Sequence, residues 1–207
     1  FAEALGNERK PVKDLVAENR VTFTQHMGHT FLEISYKRPV NIGGGVILAP
    51  PEAVCIPPPE HILIRIAPGA AFGMGDHATT RIALRLISWV FQTGRLPCRA
   101  SEVRVLDIGT GSGVLALGAC LMGAGNAVGV DTDACARAEA ARNVRLNRME
   151  NRIRITETTS IFGDGFQIRS QFNRSFSLIL ANLRYPTLAR LCSRIREICV
   201  PGAALIF

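Results

Sequence analysis

The sequence predicts an α/β chain: a mostly parallel sheet with helices on both faces and a small β-rich element at the N-terminus. Three observations predict it. Short β-branched apolar runs alternate with stretches of helical period, one run breaks into a glycine-rich turn, and the next ends on an acidic residue. Such a turn and such an acid sit where a parallel sheet presents the carboxyl ends of its strands to a ligand.

The elements follow in order. Residues Ala2 to Asn19 are charged with sparse apolar positions and predict a short helix. Arg20 to Thr24 and Phe31 to Tyr36 alternate apolar and polar residues around Met27-Gly28-His29, which predicts a hairpin. Gly43-Gly44-Gly45 marks another turn before Val46-Ile47-Leu48, and Pro57-Pro58-Pro59 is a stiff connector. It divides the chain into an N-terminal element, residues 1 to 58, and a main domain, residues 59 to 207.

The main domain opens with a strand, His61 to Ile66, and a glycine-rich loop, Ala67 to Thr80, before an amphipathic helix from Arg81 to Gln92. Strands are then expected at Val103 to Ile108, Ala127 to Val130, Ile153 to Thr156, Ser177 to Ala181 and Ala203 to Phe207. Helices run to Met122, from Ala134 to Asn147 and from Tyr185 to Cys199.

The glycine-rich turn carries the chemistry. Val103 to Ile108 breaks into Gly109, Gly111 and Gly113, and a helical pattern follows. Glycines there let backbone N–H groups approach a ligand, and the helix N-terminus favours a carboxylate or phosphate. Asp131, after the next strand, is placed to accept hydrogen bonds from two ribose hydroxyls. Together they predict a nucleoside-cofactor site, and the G-x-G-x-G spacing after Asp107 differs from the dinucleotide form G-x-G-x-x-G.

Composition bounds the function. The chain has 207 residues, of which 47% are hydrophobic, enough for one full domain with a small appendage. No apolar run reaches the roughly 18 to 20 residues that span a bilayer, and the start does not look like a signal peptide, so a cytoplasmic protein with no membrane partner is expected. Six cysteines without a C-x-x-C pair predict reduced core thiols, and His26 and His29 lack the further ligands a metal site needs. The net charge of +7 favours acidic or nucleic-acid surroundings. Much of it lies in Arg137, Arg142, Arg145, Arg148, Arg152 and Arg154, which read either as a solvated helix face or as an RNA footprint.

The segment Asp107-Ile-Gly-Thr-Gly-Ser-Gly113, with Asp131 beyond it, resembles the class I S-adenosylmethionine-dependent methyltransferases, which are Rossmann-like. Phe72-Gly-Met-Gly-Asp-His-Ala-Thr-Thr80 is similar to the F-G-T-G-x-H-x-T-T segment of the ribosomal protein L-eleven methyltransferase (PrmA) family, and Leu180-Ala-Asn-Leu183 to its A-N-[IL] segment. The resemblance covers Ile62 to Phe207. Met74, Asp76, Ala78 and Thr110 depart from the family's usual residues. Residues 1 to 58 look too short and too different for the family's substrate-binding domain, and the strand ending at Phe207 lacks the helix and C-terminal hairpin that usually follow, which implies a fragment or a chain whose remaining sheet comes from elsewhere.

The resemblance implies S-adenosylmethionine as cofactor. Thr80, Gly109, Asp131 and Asn182 would contact it, beside Gly111 and Gly113, with Asp107 holding its amino-acid end and Phe72 packing against it. Asn182 would orient an acceptor amine or hold the cofactor, unless it caps the helix starting at Tyr185-Pro186. His77 would act as a base or bind backbone groups. The acceptor implied is a protein amine, on a ribosomal protein or another near RNA. Base methylation and a non-catalytic binding subunit remain as alternatives, since Asn182-Leu-Arg-Tyr185 keeps an Asn and an aromatic but lacks the paired prolines of a base pocket.

Overall fold

The computed structural model describes residues 21–26, 29–34, 38–69, 71–73, 77–162 and 172–207, together with 11, 13 and 14; for 22–26 and 29–34 it describes the backbone alone. β1 (Val21–His26) and β2 (His29–Ile34) form the expected antiparallel hairpin. Its turn at 27–28, nearly all of the helix expected in 2–19, and the side chains of His26 and His29 lie outside the described residues.

β3 (Val40–Gly43) turns through Gly44 and Gly45 into β4 (Val46–Ala49), antiparallel to it. A Cβ on Gly44, at φ +64°, would come within 3.2 Å of the Arg85 Cα, so this turn lies directly on helix α1 (Ala78–Gln92). β5 (Ile62–Arg65) then pairs in parallel with β4. The expected division at residues 58/59 thus falls between two neighbouring strands of one sheet, ordered β3-β4-β5. Arg65 secures the connecting loop, its guanidinium donating to the carbonyls of Pro51 and Ala53 at 2.9 Å each. Val40, Ile42, Val46, Leu48 and Ile64 are buried in the same core as α1.

The second sheet has the order β10-β9-β6-β7-β8 and is parallel throughout. Its strands are β6 (Arg104–Ile108), β7 (Asn126–Asp131), β8 (Ile153–Glu157), β9 (Phe176–Leu180) and β10 (Cys199–Ile206). Between them run α2 (Val114–Leu121), α3 (Ala134–Leu146), the single turn α4 (Thr159–Phe162) and α5 (Tyr185–Ile198). Alternation along the strands sorts the core by face. Val105, Leu178 and Leu180 pack with Leu84, Ile87, Leu117 and Val144 of α1, α2 and α3; Leu106, Ile108 and Ile179 pack with Ile161, Phe162, Leu191 and Ile195 of α4 and α5. The sheet is covered on both faces, as expected.

Several boundaries differ from the sequence reading, each for a local reason. α1 begins at Ala78 because His77 serves as its N-cap, and α4 is too short to show a period. β10 starts at Cys199, since a register shift between Cys199 and Ala204 accommodates Pro201 and Gly202 inside the strand. All six cysteines are free, but only Cys120 is fully buried, whereas Cys135 and Cys192 are exposed. Among the described residues, no helix is long and apolar enough to cross a membrane.

The chain leaves β6 for β7 on one side and returns to β9 on the other, so the sheet reverses direction of growth at β6. Open parallel sheets bind ligands in the crevice at such a point.

Candidate functional site

The turn after β6 is fixed by the next strand, the amides of Gly109 and Thr110 both donating to the Val130 carbonyl at 2.8 and 3.0 Å. Gly109, Gly111 and Gly113 all have left-handed φ, at +71°, +54° and +81°. Their missing side chains make room for protein neighbours. A Cβ at 111 would lie 2.3 Å from the Phe72 carbonyl oxygen, and one at 109 would lie 2.4 Å from Leu183 Cδ2. The first neighbour is backbone and cannot swing aside.

Asp131 ends β7 facing this turn. Its Oδ2 accepts from the Gly111 amide and its Oδ1 from the Asp133 amide, both at 3.0 Å. An ionised carboxylate has about four acceptor positions, so capacity remains on each oxygen for a hydroxyl.

Asp107 is fully buried at the end of β6. Its Oδ2 accepts from Thr110 Oγ1 at 2.7 Å and from the Ala116 amide at 3.2 Å, while Oδ1 has no hydrogen-bond partner. Burial pushes its carboxyl up to about 6; these two hydrogen bonds oppose the rise and the charge of Asp131 adds to it. Thr80, also fully buried, likewise has an unpartnered Oγ1. Buried polar atoms are nearly always satisfied, so these two mark positions where a ligand's polar groups could bind.

The loop before α1 lies across the glycine turn. Phe72 and Gly73 accept from the Ser112 amide at 2.9 Å and the Ser112 hydroxyl at 2.8 Å. The Phe72 ring is about half exposed and stands 5.2 Å from the His77 ring. Positions 74–76, where two departures from the family's residues fall, lie outside the described residues.

His77 Nδ1 accepts from the Thr79 amide at 3.3 Å and pairs with Thr79 Oγ1 at 2.8 Å. This is the backbone-binding use of the imidazole, here as a helix cap. Asn182, just beyond β9, donates from Nδ2 to the same Thr79 Oγ1 at 3.1 Å. It does not cap α5, whose N-cap is Arg184.

Two clusters therefore form, and they meet. Asp107, the glycines, Asp131 and Phe72 surround the turn; His77, Thr79 and Asn182 link α1 to β9; the rings of Phe72 and His77, and Leu183 against Gly109, join them.

The sequence reading missed a polar ladder on α3. Glu139 accepts from the Ala71 amide at 3.0 Å, Arg142 donates to the Pro68 carbonyl at 2.7 Å, Asn143 accepts from the Ala67 amide at 3.0 Å, and Asn147 accepts from the Arg65 amide at 2.8 Å. The four-residue spacing of Glu139, Asn143 and Asn147 puts them on one helix face, a signal obscured by the arginines between them. Arg137 donates to the carbonyls of Asp131 and Thr132, and Arg152 to those of Ala124 and Gly125. Three of the six arginines read as a solvated face or RNA footprint thus hold backbone carbonyls.

A parallel sheet reversing at β6, a glycine turn at its carboxyl end and an acid ending the next strand define the Rossmann-like fold of class I methyltransferases. A family model described as Ribosomal protein L11 methyltransferase (PrmA) matches residues 29–207, and the chain belongs to that family. The ribosomal protein L11 methyltransferase of Syntrophotalea carbinolica is 35% identical over 167 residues, covering 80% of this chain and 49% of the relative. That of Deinococcus radiodurans is 36% identical over 169 residues, covering 82% and 58%. A crystal structure of ribosomal protein L11 methylase from Lactobacillus delbrueckii subsp. bulgaricus superposes with a TM-score of 0.64 at 26% identity, covering 81% of this chain and 78% of that one. The chain spans about half the length of the curated relatives it matches.

Proposed function

We propose that this chain is the cofactor-binding and methyl-transferring part of an S-adenosylmethionine-dependent protein methyltransferase whose acceptor is a lysine or α-amine. The observation that carries this reading is the hydrogen bond from Asn182 Nδ2 to Thr79 Oγ1 at 3.1 Å, which leaves the side-chain carbonyl of Asn182 as an acceptor beside the glycine turn. An amine N–H donated to that oxygen would be oriented with its lone pair directed away from the asparagine.

The residues present fit the cofactor. Asp107 Oδ1 offers a buried acceptor for an ammonium group, Thr80 Oγ1 a buried hydroxyl for a carboxylate, and Asp131 the remaining lone pairs for ribose hydroxyls. The amides of Gly109, Gly111 and Gly113 are already bonded to Val130, Asp131 and Thr110, so what the glycine turn offers the cofactor is close approach of the backbone, and Phe72 offers an exposed ring at the rim.

S-adenosylmethionine, when bound, supplies a methyl group on a sulfonium, which is displaced as the nitrogen–carbon bond forms and the carbon–sulfur bond breaks. The protein's part is geometric. It must hold the nitrogen in line at about 3 to 3.5 Å and exclude water. A free lysine has a pKa of about 10.4, so the amine must lose a proton before attack. Asn182 is suited to hold the neutral amine, and His77 stands two hydrogen bonds behind it, through the Thr79 hydroxyl.

A ribosomal protein is the acceptor that the relatives' names support, and it would put the reaction in the cytoplasm, near ribosomal RNA. The strands of residues 1–58 that share the core of α1 brace the site in this reading. The test is transfer of labelled methyl from S-adenosylmethionine to ribosomal proteins, total protein and RNA. Label in protein supports the reading. Cofactor binding without transfer would indicate a non-catalytic subunit, and label in RNA a base methyltransferase.

A further inference from the structure

We propose that Asn143 is a positioning residue for the cofactor crevice, holding its two walls at a fixed separation; this rests on the methyltransferase reading above. The walls are the glycine turn and the loop residues 67–69 and 71–73. Asn143 is fully buried on α3, and its amide touches both. Nδ2 donates to the Ser112 carbonyl at 2.8 Å, and Oδ1 accepts from the Ala67 amide at 3.0 Å. The orientation follows from the partners, because a carbonyl can only accept and an amide N–H only donate.

The bonds close a ring. Ser112, between Gly111 and Gly113, reaches back through its own amide and hydroxyl to Phe72 and Gly73, the far end of the loop that Asn143 grips at Ala67. The glycine turn is thus tied to the loop at both ends, once directly and once through α3.

Its neighbours on the same ladder provide the comparison. Asn147, one turn further along α3, gives both side-chain groups to Arg65 and donates also to the Asn143 carbonyl, so these partners lie in the strand and its own helix, away from the glycine turn. Glu139, one turn earlier, takes the Ala71 amide. Asn143, unlike Asn147, joins both walls. The position needs a planar group with a donor and an acceptor: aspartate retains the acceptor for Ala67 but turns an oxygen toward the Ser112 carbonyl, and two acceptors repel.

The inference separates two roles that stability alone would confuse. If Asn143 only stabilises the fold, it resembles Asn147; if it sets the crevice, the two differ in cofactor affinity.

The experiment compares Asn143→Asp with Asn147→Asp by calorimetric titration with S-adenosylmethionine, thermal unfolding, and amide hydrogen exchange of the cofactor-free chain. Both variants should melt at lower temperature. Asn143→Asp should bind S-adenosylmethionine about tenfold more weakly, close to 1.4 kcal/mol, and exchange faster at Ser112; Asn147→Asp should stay within about twofold of the unaltered chain in affinity. Equal affinity losses in the two variants, or unchanged affinity in Asn143→Asp, would overturn the proposal. If Asn143→Asp does not fold, Asn143→Ser, with a shorter polar side chain that cannot span both walls, carries the same comparison. An unaltered chain that binds no S-adenosylmethionine overturns the methyltransferase reading, and this role with it, even where Ser112 exchange shows the two loops to be coupled.

Discussion

The amide of Asn182 and the hydroxyl of Thr79, 103 positions apart in the chain, are hydrogen-bonded at 3.1 Å across the carboxyl end of the sheet. The direction of this bond follows from a third residue. His77 Nδ1 accepts from the Thr79 amide, so toward the Thr79 hydroxyl it acts as an acceptor too; the hydroxyl donates to it, and its oxygen is left to accept from Asn182. The consequence is that Asn182 presents its oxygen, not its nitrogen, to an incoming group.

Removing the hydroxyl should therefore affect catalysis more than binding. Thr79→Val keeps the shape of the side chain and frees Asn182 to rotate, so kcat should fall about tenfold or more while S-adenosylmethionine affinity changes by less than about threefold. Thr79→Ser should restore most of the rate. Asn182→Ala should show the same split more strongly, and an equal loss in rate and affinity would make Asn182 a cofactor contact only.

Asp131 is predicted to act on affinity. Its carboxylate already orders the Gly111 and Asp133 amides, and ribose hydroxyls would add charge-assisted hydrogen bonds worth roughly 1.5 to 3 kcal/mol each. Titration of Asp131→Ala with S-adenosylmethionine should show a loss of about tenfold or more. Unchanged affinity would remove the ribose assignment.

Asp107 links the site to pH. Its carboxyl is raised from 3.8 to about 6 in the folded chain, so the native state holds the proton more tightly than the unfolded state does. Its contribution thus favours folding at low pH and is lost as pH rises from about 4 to about 6, so that the fold is about 3 kcal/mol less stable at neutral pH on this account than in acid. Asp107→Asn should flatten this dependence and raise the denaturant midpoint at pH 7. Affinity for the cationic cofactor should rise with pH through about 6 in the unaltered chain and be weak at every pH in the variant. Parallel pH profiles of stability for the two proteins would refute the assignment.

The glycine turn offers a test with an internal control. Gly111 and Gly94 both have left-handed φ, but a Cβ on Gly94 would meet nothing within 4 Å, whereas one on Gly111 would strike the Phe72 carbonyl. Gly94→Ala should lose only the conformational preference, roughly 1 to 2 kcal/mol. Gly111→Ala should lose clearly more in chemical denaturation and should weaken cofactor binding, because the Phe72 loop must move.

What the sequence made legible was local. The β6 turn, Asp107 and Asp131 could be placed because strand period, left-handed glycines and strand-end acids leave their marks within a few residues. Pro57 to Pro59 reads locally as a stiff connector, whereas the parallel pairing of β4 with β5 across it joins distant residues and leaves no local mark. The bond between Thr79 and Asn182 left no sequence mark because the two lie 103 residues apart. Asn143 and Asn147 escaped notice because Arg142, Arg145 and Arg148 make that part of the chain look like a solvated face.

The remaining prediction concerns the acceptor. A base-methylating site needs an aromatic platform against which the extruded base can stack, next to the residue that holds its amino group. In this chain the residue after Asn182 is Leu183, whose Cδ2 fills the space above Gly109, and Tyr185 is turned outward and 81% exposed at the start of α5. Tyr185 is thus badly placed to stack a base beside Asn182. Methyl label should appear in protein, survive nuclease treatment, and be unaffected within about twofold by Tyr185→Ala. Label that is lost with nuclease and falls sharply in Tyr185→Ala would instead mean that the ring folds inward over a nucleobase, and that the acceptor is RNA.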